Sequence, residues 1–216
     1  PMTEKRGYFT AGKFDQFQRN IPYSALIQAF NSLCDYLLTE NAEQLSRWRE
    51  KILNAVGNNG QVLTDVIPQL ELLIGAQPAV TEVGPTESQN RFNMVFQSFF
   101  KAICQPENPL ILFIDDLQWA DSASLSVLKT LMNDPEIQYF LIIGAYRDNE
   151  ADAAHPLISM SEDLKKSGAA VSTVHLQNLS FNDVNRLISE SLMSEPAFSG
   201  PLAQLVYKKT QGNAFF

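Results

Sequence analysis

Five consecutive apolar residues, Leu110-Ile111-Leu112-Phe113-Ile114, end abruptly in Asp115 and Asp116, and this run constrains the fold more than any other feature. It is far shorter than the ~20 apolar residues that a membrane-spanning helix needs. Unbroken rather than alternating hydrophobicity is the pattern of a strand covered on both faces, as in a parallel sheet. Tyr139 to Tyr146 is a second buried strand of this kind, running out at Arg147, and Val171 to Leu176 is a third. Helical patterns lie between them. Asp121 is placed to cap a helix over Ser122 to Met132, and Pro156 opens another to Lys166. Strands alternating with helices make βαβ units, hence an α/β fold with an open parallel sheet.

The first hundred residues add one strand and a block of helices. Gly7 to Phe14 is short and aromatic-rich, which suits a strand, and the polar turn DQFQRN follows it. From Pro22 to about Thr39, Leu26, Phe30, Leu33, Cys34, Leu37 and Leu38 recur at helical spacing. Asn41 caps a second helix carrying Leu45, Trp48, Ile52 and Val56, which Gly57 stops. Short helical pieces cover Val62 to Ile67 and Gln69 to Ile74, and Gly75 to Pro85 is a loop. Thr86 with Gln89 forms a capping box ahead of the stripe Phe92, Val95, Phe96, Phe99, Phe100 and Ile103. These helices read as an insertion over about residues 22–104 of an α/β core spanning 1–178. Beyond Asn178 the pattern is purely helical, with Ser180 as a cap and Phe181, Val184, Leu187, Ile188 and Leu192 as its stripe, and residues 179–216 read as the start of a helical lid.

Composition narrows the partners. With 216 residues, 45% of them hydrophobic, the chain can bury one sizeable core. Sixteen Lys and Arg against 24 Asp and Glu give a net charge of −8, with no basic cluster for tracking phosphates, so nucleic acid is not an expected partner. No run is long enough to suggest a membrane segment. Cys34 and Cys104 lie apart, with no metal-ligand spacing, which fits buried core thiols in a reducing cytoplasm. The sequence opens on Pro1 without a signal peptide and reads as a fragment of a longer protein.

An acid at the carboxyl end of a buried parallel strand lies at the crevice where such sheets bind ligands. There Asp115 is placed to hold Mg²⁺, and Asp116 to orient an attacking water in phosphoryl transfer. The same two acids also suit a strand end that merely begins a turn. The longer string FIDDLQWADSASLSVLKTLM from Phe113, with LIIGAYRDNE from Leu141, favours the first reading. So do GYFTAGKFDQFQRNIPYSALIQAF from Gly7, GPTESQNRF from Gly84 and TQGNAFF at the end. Together these resemble the AAA-like, STAND-type ATPase modules embedded in large bacterial signalling proteins, notably multidomain Ser/Thr and histidine kinases of cyanobacterial type.

The resemblance implies a fold of P-loop NTPase type, with Asp115 as the Walker B Mg²⁺ carboxylate and Asp116 as the catalytic acid. It further implies Arg147 as the sensor arginine and Gly212-Asn213 as a lid motif near the nucleotide, although Ala214 stands where the family usually has Pro. Arg147 taken alone could equally pair with Asp148 or Glu150 on the surface. Gly7 to Lys13 matches G-x-x-x-x-G-K but has no preceding strand. It also carries bulky Tyr8 and Phe9, and Phe14 stands where a metal-binding hydroxyl is required. It reads as a strand. In the resembled family this is the strand after the Walker A helix, which puts the true P-loop upstream of Pro1. The implied sheet order runs Tyr8 strand, Leu110 strand, Leu141 strand, the absent P-loop strand, Val171 strand. His155 and His175 have no nucleophile motif beside them, while Trp48 fits the core and Trp119, beside the acidic pair, suits packing under a nucleotide or, by default, anchoring the loop.

Two functions follow as expectations. One is an ATP- and Mg²⁺-dependent regulatory switch acting on neighbouring kinase or sensor domains of the same polypeptide, an ATPase when complete and inactive as the isolated chain. The alternative is a non-catalytic scaffold that docks partners through the helical insertion. Either way, the unpaired strand edges left by the absent P-loop strand favour self-association.

Overall fold

The computed structural model describes residues 7–18 and 21–214. It divides into two compact units, Pro1–Val171 and Ser172–Phe216. In the first, β1 (Tyr8–Lys13), β2 (Leu110–Asp115) and β3 (Phe140–Gly144) form a three-stranded sheet in the order β1-β2-β3, with both pairings parallel. This is an open α/β sheet with the order expected for these three strands. Between β1 and β2 run α1 (Ser24–Leu38), α2 (Ala42–Val56), α3 (Gly60–Thr64), α4 (Pro68–Ile74) and α5 (Pro85–Ile103). Between β2 and β3 lies α6 (Ser122–Asn133), and α7 (Pro156–Lys166) follows β3.

Parallel connections are right-handed, so an order that advances in one direction places both crossovers on the same face of the sheet. The burial pattern agrees. Tyr8, Thr10, Leu110, Leu112 and Ile114 are buried on one face, beneath a core that includes Phe30, Phe96, Phe99 and Phe100. Phe30 meets those three rings at 5.2, 5.8 and 5.4 Å, and Phe100 meets Phe140 of β3 at 4.6 Å, edge to face. Gly12 brings α1 onto this face, since a Cβ there would lie 1.9 Å from the Ala25 carbonyl oxygen. That close approach explains the second glycine of the G-x-x-x-x-G-K match without any phosphate.

The opposite face corrects two expectations. Ile111 and Phe113 are only half-buried, so β2 is covered on one face rather than both. Aligned with them by register are Phe9, Leu141 and Ile143, which are 61%, 51% and 42% exposed, so β3 is not a buried strand either. Coverage is set by the side on which the connections run, and a hydrophobic run does not record that. Val171 to Leu176 is likewise not a strand. Residues 169–180 carry no regular structure, and Val174 and Leu176 are exposed. No strand among the described residues offers this segment a ladder of hydrogen bonds.

Most helix ends are as the sequence suggests. Asn41 accepts a hydrogen bond from the Gln44 amide, Asp121 from the Ser124 amide, and Pro68 and Pro156 stand at first helical positions. The Thr86–Gln89 capping box does not form, because Pro85 takes the first position and Gly84 the cap. Gln89 turns instead to the Tyr23 hydroxyl and to Asn93 Oδ1. α1 starts at Ser24, two residues after Pro22, with Tyr23 in the left-handed region at φ 64°. In the turn after β1, Asp15 accepts from the Phe17 amide, while Arg19 and Asn20 lie outside the described residues. Cys34 and Cys104 are buried, which pushes both thiols up to about 12, in keeping with structural core residues.

The second unit is a pair of helices, α8 (Phe181–Ser191) and α9 (Pro196–Thr210). Ser180 and Asp183 form a reciprocal capping box at the start of α8. The Leu179 amide donates to the Gly212 carbonyl at 2.7 Å and so ties the two ends together. Gly212 has φ 75°, and a Cβ there would meet the Leu179 carbonyl oxygen at 2.0 Å. Phe215 and Phe216 of the TQGNAFF string lie outside the described residues.

Candidate functional site

The carboxyl ends of β2 and β3 meet in one loop cluster. The Ala145 amide donates to the Ile114 carbonyl and the Leu117 amide to the Ala145 carbonyl, both at 2.9 Å, so the residues after the two strands are held side by side. Asp116 adopts φ 52°, a left-handed conformation that Asp tolerates better than most residues. The chain then turns through Leu117–Trp119 to the cap Asp121. Asp121 also accepts from the Tyr23 amide at 3.2 Å, which fastens this loop to the start of α1.

Asp115 and Asp116 therefore stand together, as expected. Asp115 Oδ1 accepts from the Asp116 amide at 2.9 Å. Asp116 Oδ1 accepts from Gln118 Nε2 at 3.0 Å and lies 3.8 Å from Arg147 Nε. Across both Oδ2 atoms sits Lys13 Nζ, 3.0 Å from Asp115 and 2.8 Å from Asp116. Burial would raise the pKa of Asp116, but hydrogen bonds from Lys13 and Gln118 and the charges of Lys13 and Arg147 outweigh it. The carboxyl is held below the ordinary carboxylate value. Lys13 is raised in turn by its bonds to Asp116 and Asp115.

Arg147 follows β3 and belongs to the same cluster. Its guanidinium lies over the Trp119 ring at 5.9 Å and bonds Glu150 Oε1 at 3.4 Å, while Trp119 Nε1 donates to Glu150 Oε2 at 3.0 Å. Arg147 thus pairs with its neighbour Glu150, as one reading of the sequence had it, and also faces Asp116. Gly212 and Asn213 belong to the second unit, where Asn213 donates its amide to the Thr210 carbonyl at 3.0 Å.

Two members of the cluster were not singled out by their sequence surroundings. Lys13 is one, because its partners lie 102 and 103 positions away and only the β1–β2 register, which pairs Lys13 with Asp115, brings them together. Gln118 is the other. It is buried, donates to Asp116, accepts from the Arg147 amide at 3.2 Å, and offers its carbonyl to His155 Nε2 at 3.1 Å. No local sequence pattern marks Gln118, whose role depends on burial and on partners across the loop.

The oxygen donors suit a hard divalent cation, which Mg²⁺ sites hold through one or two carboxylates together with waters and phosphate oxygens. Among the described residues no group of three or more His, Cys, Asp and Glu side chains is placed to hold a metal by itself. Within the G-x-x-x-x-G-K match, Tyr8 to Lys13 form the strand β1, paired in register with β2, rather than a loop leading into a helix. No helix among the described residues is long and apolar enough to cross a membrane.

Residues 2–143 match the family described as the AAA ATPase domain. Among curated proteins, hybrid signal transduction histidine kinase G of Dictyostelium discoideum is similar, 28% identical over 271 aligned residues. The alignment takes in 96% of this chain and 8% of that protein, so the chain spans less than a tenth of its relative's length. No solved structure matches.

Proposed function

The chain belongs to the AAA ATPase domain family, and from that premise we propose that it is the regulatory switch module of a multidomain signalling polypeptide, with ATP and Mg²⁺ setting its state. The observation that carries this reading is the convergence of Asp115, Asp116 and Arg147 at the carboxyl ends of two adjacent parallel strands. Kinase domains of the same polypeptide are the proposed targets, because the long relative is a hybrid histidine kinase.

In this reading Asp115 ligates Mg²⁺, whose charge, when bound, neutralises the phosphate oxygens during transfer. Asp116, kept ionised by Gln118 and its cationic neighbours, accepts a hydrogen bond from the attacking water and orients it. Arg147, braced by Trp119 and Glu150, presents its guanidinium to the γ-phosphate and so distinguishes ATP from ADP. Gly212 and Asn213 contribute as the lid motif. The phosphate cradle, a P-loop, is assigned to sequence upstream of Pro1. Supporting that assignment, β1 is a strand, and its Gly12 is explained by packing. Hydrolysis serves switching and is slow, and the module works in the cytoplasm.

The test compares this chain with a longer polypeptide that includes the preceding sequence. Calorimetry should show micromolar ATP affinity for the longer form and none in that range for the 216 residues. In the longer form Asp116→Asn should slow turnover about 100-fold while leaving ATP affinity within about twofold. Unchanged turnover would remove the catalytic role of Asp116 and favour the scaffold reading, in which the helical insertion docks partners.

A further inference from the structure

The acid pair is held from two sides by very different groups. On the Oδ1 side of Asp116 stand Gln118, which is buried, and Arg147, braced by Trp119 and Glu150. On the Oδ2 side, a single ammonium, that of Lys13, bridges Asp115 and Asp116. Its own backbone is fixed, since the Lys13 amide donates to Gln28 Oε1 at 2.9 Å and β1 is in register with β2. Its side chain is 58% exposed, whereas that of Asp116 is 7% exposed. A fixed stem with a solvated head, spanning two carboxylates, is the arrangement of a cation that a competitor can displace.

We propose that Lys13, which bridges Asp115 and Asp116, is a resident counter-cation that competes with a divalent metal for Asp115 Oδ2 and thereby sets how tightly this site holds Mg²⁺. The inference rests on the reading of Asp115 as the metal carboxylate, and it adds the residue that regulates that ligation. With no metal bound, the ammonium offsets the repulsion between adjacent acids and bridges them. When a metal takes Asp115 Oδ2, the ammonium is displaced from that oxygen but stays at the same crevice, where its positive charge remains available to an anion. A metal must therefore displace one cation to bind, which weakens its affinity and sharpens the difference between metal alone and metal with phosphate.

Mn²⁺, which electron paramagnetic resonance detects directly, is the probe, titrated into the 216-residue chain without nucleotide. Lys13→Met should tighten Mn²⁺ binding about threefold to tenfold, the range that one or two partly exposed ion pairs supply. Lys13→Arg retains the charge and should stay near the parent, and Asp115→Asn should abolish the site. The expected change is a gain, which damage to the fold does not produce, and circular dichroism of each variant checks that fold separately. Equal or weaker binding in Lys13→Met, with binding still lost in Asp115→Asn, would overturn the role of Lys13 and leave the metal assignment standing. Mn²⁺ binding that is absent, or insensitive to Asp115→Asn, would overturn both.

Discussion

The two faces of the β1-β2-β3 sheet are built from similar side chains and meet opposite surroundings. Tyr8, Leu110, Leu112, Ile114 and Phe140 turn toward the helical layer, while Phe9, Ile111, Phe113, Leu141 and Ile143 turn away from it. The same five-residue run in β2 supplies both sets. What separates them is topology, because two right-handed crossovers made in one direction cover a single face. Hydrophobicity along a strand thus reports that a strand is intended for an interior, and only the connections report which of its faces finds one.

The sharpest way to break the comparison is on the covered face. Phe100 is fully buried among Phe30, Phe96 and Phe140, so Phe100→Ala should cost about 3–5 kcal/mol in denaturant unfolding. Next comes Gly12→Ala. A methyl group 1.9 Å from the Ala25 carbonyl oxygen forces α1 off β1, and a loss of about 2–3 kcal/mol is expected. The same variant keeps the Lys13 side chain, so it tests the packing role of the G-x-x-x-x-G-K match without removing the cation beside it.

These positions also mark what was legible in the sequence. The strands β1, β2 and β3 and the capped helices α2 and α6 follow from local periodicity and from single capping residues, while the order of these strands was implied by the family resemblance. Asp115, Asp116 and Arg147 were legible as strand-end groups, and parallel pairing brings them together. Lys13 was not, since its role depends on register between segments a hundred residues apart, which no local pattern encodes. The extent of cover over β2 and β3 was overestimated for the topological reason above. Val171 to Leu176 failed as a strand because β propensity yields a strand only where a neighbouring strand completes its hydrogen bonds. The Thr86–Gln89 box failed because a proline one residue earlier claimed the start of α5.

A smaller effect is expected where the helical layer is pinned to itself. Asp134, just after α6, is bound by Lys101 of α5 at 2.8 Å and by the Glu136 amide at 2.9 Å. Burial would raise its pKa, but these bonds and that from Gln97 prevail and hold it below the ordinary carboxylate value. Asp134→Ala should cost on the order of 1–2 kcal/mol at pH 7. A carboxyl depressed in the folded state stabilises it above the unfolded pKa of about 3.9 and loses that contribution as pH falls through the folded value. Urea unfolding of parent and variant should therefore converge as the pH drops below about 4, and a gap that stays constant would deny the ion pair its role.

The smallest change in intrinsic stability, and the most informative about the comparison, belongs to the bare face. Leu141 and Ile143 have little to lose in the chain alone, so Leu141→Ser with Ile143→Ser should shift its unfolding free energy by no more than about 0.5 kcal/mol each. Their effect lies in association. An apolar face beside β3, which has no second partner strand among the described residues, invites pairing with a second copy, so the parent chain should sediment as a concentration-dependent mixture and the double variant as a monomer. In the longer polypeptide the sign reverses. If the preceding segment supplies a strand beside β3 and helices over this face, the two serines become buried polar groups and should lower the melting temperature by several degrees. Serines that are neutral in both forms would mean that the face stays exposed in the larger protein. The covering segment would then have to be sought elsewhere than upstream of Pro1.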